Sequence, residues 1–270
     1  MKNNLKILHL SDPHIGYRNC GRRFRSIARN IINREKADEI VIVLTGDLVE
    51  SAFSNRQLDE AVEIINTLKK EGFKVLVAPG NHDYGNGWVN TRSIGQKFMG
   101  AFGLKFPRID VIGDALFVGL DSNVEEIHWY DRFFADGEIG DEQLNKLDEI
   151  INRKDFQGFK KIIYFHHHPI DLLPFHKLKD HLKLKRIIAG KVDIVLYGHN
   201  HAARDHSGWW GIKIMLDGGS STGKRMLFKK VKHRIINLSD FSISKRNFIA
   251  DNCRQDATGK RTKNTFLSIP

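Results

Sequence analysis

The chain has 270 residues, 41% hydrophobic and 28% charged, long enough to bury a full core in one large domain or two small ones. No apolar run approaches the roughly 20 residues that cross a bilayer as a helix, which excludes a membrane-spanning helix from this sequence. A formal net charge of +11 leaves nucleic acid, an anionic membrane surface or an acidic substrate open as partners, and suits a solvated basic face equally well.

Short apolar strands alternate with amphipathic helices. LKILHL (5–10) reads as a buried strand, and RRFRSIARNIINREKA (22–37) as a helix with Phe24, Ile27, Ala28, Ile31 and Ile32 on one face. EIVIVLTGD (39–47) is a second strand. SNRQLDEAVEIINTLKKEG (54–72) has Ser54 as N-cap, an apolar face of Leu58, Ala61, Val62, Ile65 and Leu68, and a stop at Gly72. FKVLVAPG (73–80) is a third strand, RIDVIG (108–113) and ALFVGLDS (115–122) form a hairpin-like pair, and DEQLNKLDEIINR (141–153) is a helix. Strands KKIIYFHHH (160–168) and VDIVLYGHN (192–200) flank a basic helical stretch around Lys177 to Lys191. Beyond Gly211 come IKIMLDGG (212–219), RMLFKKV (225–231), HRIINLS (233–239) and SKRNFIA (244–250), all strand-like. With no internal repeat and no linker, residues 1–270 read as a single α/β domain of mixed sheets with helices outside, completed by β-rich residues 208–250. The N-terminal MKNNLKILHLSD has no long apolar region or small-residue cleavage site, and Cys20 and Cys253 match no metal or redox spacing. A cytoplasmic protein is expected.

The chemistry sits where strands end. The clusters are Asp12-Pro13-His14, Gly46-Asp47, Gly80-Asn81-His82-Asp83, His166-His167-His168-Pro169 and Gly198-His199-Asn200-His201. Carboxyl ends of strands are where open α/β sheets bind ligands, so these five are expected to converge. Carboxylates, an amide and imidazoles crowded together would be left unpaired without a cation. Oxygen and nitrogen donors without thiolate suit Mn, Fe or Zn. If the segments stay extended, Asp-X-His and His-X-His each send two donors to one side. Two divalent ions about 3.5–4 Å apart would clamp an in-line displacement at phosphorus, with a bridging hydroxide as nucleophile.

These motifs, in this order and spacing, resemble the calcineurin-like metallophosphoesterase superfamily, between Asp12 and His201. The resemblance implies a four-layer α-β-β-α sandwich with two mixed β-sheets and a dinuclear-metal-dependent phosphoesterase. It assigns Asp12, His14, Asp47 and His201 to one metal, and Asp47, Asn81, His199 and one histidine of the triplet to the other. Family members place that histidine two residues before the proline, which points to His167; in an extended strand His166 and His168 would then face away. His82 is implied to stabilise charge at the phosphate or protonate the leaving oxygen, and Asp83 either orients it or caps the loop.

Three departures narrow the branch. GDLVESAF lacks the Asp-Arg-Gly of protein Ser/Thr phosphatases, His82 stands where UDP-2,3-diacylglucosamine hydrolases have Arg, and scaffold relatives such as the retromer subunit have lost that histidine. VGLDSN (118–123), GEIGDEQLNKLDEII (137–151) and DGGSSTG (217–223) resemble the class III cyclic-nucleotide phosphodiesterases, which implies a small-molecule phosphodiester. LHLSDPHIGYR also resembles double-strand-break repair exonucleases, so a nuclease is the rival, with a lipid-linked phosphate hydrolase third and a metal-bound scaffold as the non-enzyme alternative. EEIHWYDRFF (125–134) with Trp209 and Trp210 would make an aromatic rim, and residues 169–191 either a cap over the site or a plain crossover helix.

Overall fold

The computed structural model describes residues 5–124, 136–170, 177–224, 231 and 233–249. Strands β1 (Lys6–Leu10), β2 (Ile40–Thr45) and β3 (Lys74–Ala78) are separated by helices α1 (Cys20–Arg34) and α2 (Asn55–Lys70). Helix α3 (Arg92–Phe102) leads into β4 (Arg108–Ile112) and β5 (Ala115–Gly119), and α4 (Asp141–Asn152) into β6 (Lys160–Tyr164). Helix α5 (His181–Ile188) precedes β7 (Ile194–Tyr197), and β8 (Ile214–Asp217), β9 (His233–Asn237) and β10 (Ile243–Arg246) follow. The aromatic stretch 125–134, the expected strand over 225–230 and part of the expected cap, 171–176, lie outside the described residues.

Two five-stranded mixed sheets result, ordered β10-β9-β1-β2-β3 and β4-β5-β6-β7-β8. In the first, β1, β2 and β3 run parallel, and β9 joins β1 antiparallel. In the second, β5 to β8 run parallel and β4 closes one edge antiparallel. Strand alternation sorts the apolar side chains into three layers. Leu8, Leu10, Ile42 and Leu44 pack with Phe24, Ile27, Leu58 and Ile65 of the first pair of helices. Ile7, Val41 and Val43 meet Phe117, Ile162 and Leu196 between the sheets. Leu116, Ile163 and Val195 pack with Leu144 and Leu147 of α4 and Leu184 of α5. The order of layers is therefore α-β-β-α, as the motif resemblance implied.

Helix α3 escaped the sequence reading because Gly95 and Gly100 interrupt its pattern. Gly95 is required there, since a Cβ would overlap the Tyr84 ring. The signals that mark the helix are its ends: Thr91 accepts a bond from Ile94 N at 3.3 Å, and Gly103 caps it at φ +64°.

Candidate metal centre

The parallel strands of both sheets end at one edge, and the loops beyond β1, β2, β3, β6 and β7 carry the five polar clusters. Their backbone is not extended, contrary to the sequence expectation: Asp12 and His14 sit at φ +48°, Asp47 at +52°, His199 at +78° and His201 at +53°. The physical reason is reach. In a strand, residues two apart are separated by about 6.6 Å, too far to grip one small cation. The left-handed turns bring His14 Nε2 to 3.9 Å from Asp12 Oδ1. Bonds from Asp12 N to Gly46 O and from His14 N to Asp47 O, both 3.0 Å, lock the first two turns together.

Each buried carboxylate divides its oxygens between the scaffold and the cleft. Asp12 Oδ2 accepts from Ser11 Oγ and His199 N, leaving Oδ1 at 3.1 Å from His201 Nε2. Asp47 Oδ1 accepts from His82 N at 2.9 Å, and its Oδ2 lies 3.5 Å from both His14 Nε2 and His166 Nε2. One oxygen thus faces two donor groups. On one side the donor atoms of Asp12, His14, Asp47 and His201 lie within 4.8 Å of one another. On the other, His166 Nε2 is 3.1 Å from Asn81 Oδ1 and 3.2 Å from His199 Nδ1. Gly80 and Gly198 allow this closeness, since a Cβ at either would overlap Asp47 or Asp12.

The triplet departs from expectation. His166 does not face away: its Nδ1 donates to Thr45 O at 2.8 Å, which turns Nε2 into the cleft. His167 also reaches the cleft, with His166, His167 and His199 donors within 4.8 Å of one another. Its Nδ1 is 2.8 Å from Ser122 Oγ, while its buried Nε2 makes no hydrogen bond among the described residues. His168 turns out of the centre, packing edge-on to Tyr197 and His206. His206, bonded through Nδ1 to Tyr197 Oη at 2.6 Å, belongs to that aromatic cluster and not to the donors.

His82 stands beside the first group, its ring 4.7 Å from His14. Its Nδ1 donates to Glu50 O at 2.7 Å, leaving Nε2 for chemistry. Asp83 plays the other of its two expected parts and does not hold that ring. Its carboxylate accepts from Gly80 N at 2.9 Å and from Leu48 N and Val49 N at 3.2 Å, stapling the loops after β2 and β3. Burial first, and Asp47 second, push this carboxyl up to about 8.

The electrostatics call for positive charge. Burial disfavours the His166 imidazolium, yet Asp47 and Asp12 outweigh it and push the ring up to about 10. His201 is raised in the same way, burial opposing and Asp12 prevailing. His167 goes the other way: burial, then His166, hold it well below the usual range, which keeps it neutral as a ligand must be. Imidazole nitrogens face each other at 3.0 Å (His14 and His201) and 3.2 Å (His166 and His199). Imidazole nitrogens crowded in pairs, two carboxylate oxygens and a buried His167 Nε2 without a hydrogen bond among the described residues fit divalent cations.

Several supporting residues were not read from sequence. Ser122 holds His167, and Gln143 holds the strand end before it, bonding Asp121 N at 3.0 Å and Asp121 O at 2.8 Å. Ser220 Oγ and Thr222 Oγ1 donate to Asp12 O and Pro13 O at 3.0 and 2.9 Å. Arg234 donates to Asp217 O at 2.5 Å and to Ala203 O, tying down the loop beyond His201. The segments noted around Ser122, Gln143 and Ser220 therefore act as braces. Lys224, although it contributes to the chain's positive charge, is 4% exposed.

A model of the calcineurin-like phosphoesterase family matches residues 5–203. The chain belongs to that family. This phosphoesterase is 28% identical over 209 residues to a probable cyclic nucleotide phosphodiesterase from Coxiella burnetii, covering 74% of this chain and 77% of the relative. Its fold matches a dimetal phosphatase from Danio rerio with a TM-score of 0.68 at 15% identity, over 92% of this chain and 97% of the other. A putative 5'-nucleotidase from Staphylococcus aureus matches with a TM-score of 0.50 at 12% identity, over 90% of this chain and 52% of that one. Family membership together with the His/Asp clusters supports a metal-dependent phosphoric ester hydrolase with a dinuclear divalent site.

Proposed function

We propose that this phosphoesterase hydrolyses a small-molecule phosphodiester with His82 assisting the leaving group. The reading is carried by the Asp47 oxygen set 3.5 Å from both His14 and His166, the position of a carboxylate shared by two cations. Asp12, His14, Asp47 and His201 would hold one cation, and the donors for the other would come from Asp47, Asn81, His199 and the triplet's His166 and His167. When bound, such a pair supplies Lewis-acid stabilisation of phosphoryl oxygens and an activated water.

The chain's own contribution is placement of a proton. His82 Nδ1 is committed to Glu50 O, so Nε2 is the atom that carries a proton to a departing alkoxide. Because His82 N also bonds Asp47 Oδ1, that histidine keeps a fixed distance from the shared carboxylate. Similarity to the probable cyclic nucleotide phosphodiesterase of Coxiella burnetii supports the diester over the monoester.

The test is Mn-dependent hydrolysis of bis(p-nitrophenyl) phosphate and p-nitrophenyl phosphate by metal-stripped, reconstituted protein. The diester should be turned over faster, and His82→Ala should keep its metals while losing about 10²–10⁴-fold in kcat. Faster monoester turnover would sink the diesterase reading; loss of both metals in His82→Ala would sink the role given to His82.

A further inference from the structure

We propose that Lys224 is a positioning residue for the first cation: it pins Glu50 behind His14 and so fixes which nitrogen of His14 faces the cleft. The inference rests on the metal-centre reading above. Lys224 is buried, with its ammonium 2.5 Å from Glu50 Oε2, 3.1 Å from His14 Nδ1 and 5.1 Å from the Tyr17 ring centroid. Glu50 Oε2 is itself 3.0 Å from His14 Nδ1. His14 Nε2 points at Asp12, Asp47 and His201, so it can offer a lone pair there only if the ring proton sits on Nδ1. That proton needs an acceptor, and Glu50 Oε2 provides it.

Glu50 needs restraint to stay in that place. Its side chain is 29% exposed, and its donor atom lies within 4.8 Å of those of His14 and His82. A free carboxylate there would swing toward a bound cation as a competing ligand. The buried ammonium holds it back, and Glu50 in turn supplies the partner without which burying Lys224 would be costly. The lysine is placed by the segment that braces the Asp12–His14 turn: Lys224 N donates to Ser220 Oγ at 2.9 Å, and Ser220 Oγ donates to Asp12 O. Of the second donor set only the shared Asp47 touches this arrangement among the described residues, through His14 Nε2 at 3.5 Å, so the effect should fall chiefly on the first cation.

Metal uptake is the readout, by mass spectrometric metal content and Mn titration of the whole chain. Partners behind a ligating histidine typically alter affinity about 10–100-fold. Lys224→Met should weaken the first Mn by that factor and leave the second nearly unchanged, and the visible spectrum of the Co-substituted protein should shift. Glu50→Gln, which is isosteric, should weaken the same cation. Lys224→Met with Glu50→Gln should be no worse than the poorer single variant, because the lysine acts through Glu50. Two Mn bound at wild-type affinity by either variant, or additive losses in the double variant, would overturn the proposal. If Lys224→Met does not fold, Glu50→Gln alone decides it. Wild-type protein that takes up fewer than two equivalents overturns the metal-centre reading and this inference with it; wild-type uptake of two beside unaltered variants overturns this inference alone.

Discussion

Gly87→Ala tests His82 without replacing any proposed ligand. Gly87 sits at φ +85° in the turn after His82, and a Cβ there would overlap His82 Nε2. A left-handed alanine costs about 1–2 kcal/mol. At roughly 2–4 °C per kcal/mol for a chain of this size, the melting temperature should fall by about 2–8 °C. Relief of the overlap must come from the ring, because Asn86 Oδ1 already accepts from Trp88 N at 3.0 Å and Val89 N at 2.8 Å, which fixes the turn. Turning the ring breaks its 2.7 Å bond to Glu50 O and removes Nε2 from the leaving group. Turnover of bis(p-nitrophenyl) phosphate should therefore drop by about 10²-fold or more, within the range for losing a general acid. Metal content should stay at the wild-type value, and Gly87→Ala combined with His82→Ala should be no slower than His82→Ala. Wild-type kcat in Gly87→Ala would refute the reasoning, as would a variant that sheds its metals.

Asp47→Ala removes the shared oxygen and should abolish turnover and leave no coupled Mn pair by electron paramagnetic resonance; two tightly bound, coupled ions would contradict the assignment. Ser122→Ala frees His167 Nδ1 and should cost about 1–3 kcal/mol in urea unfolding of the metal-free protein, with no loss if the contact is incidental. His9 is buried and bonds Thr45 Oγ1 at 3.0 Å; burial, and then the charge of Arg234, hold it down to about 3. Its folded value lies below the unfolded 6.5, so its contribution is complete above pH 6.5 and is lost as pH falls from 6.5 toward 3. Between pH 7 and pH 5 the metal-free protein should lose about 2 kcal/mol more than His9→Gln does; parallel curves for the two proteins would refute that origin.

The strands were legible because β2 and β7 are buried along their whole length and read as nearly unbroken apolar runs, and β6 is buried from Ile162 to Tyr164. The donors were legible because each follows such a run directly. What the sequence hid are contacts between distant segments. Lys224 and Glu50 are 174 residues apart, and nothing in the local composition of either marks the pairing. The triplet was ambiguous for a related reason: only the Thr45 carbonyl, supplied by the other sheet, turns His166 inward. Asp83 looked like a partner for its neighbour in sequence, yet the backbone of 48–49 claims its oxygens.

The five left-handed donors raise a question of energy. At about 1–2 kcal/mol each, they sum to about 5–10 kcal/mol, comparable with the net stability of an entire domain. A single isolated loop would relax out of such a shape. Here it cannot, because the turns hold one another. Asp12 N and His14 N bond the backbone of the Asp47 turn, Ser221 N bonds Ser11 O at 2.8 Å, and Asp217 N bonds Arg204 O at 3.1 Å. Any one turn could relax only by breaking bonds to two others, each anchored to a buried strand. The rigid edges of two packed sheets, rather than the loops themselves, therefore set the positions of the donors. That accounts for why donors drawn from residues 12 to 201 need both sheets, and for why so many bracing residues lie outside the motifs.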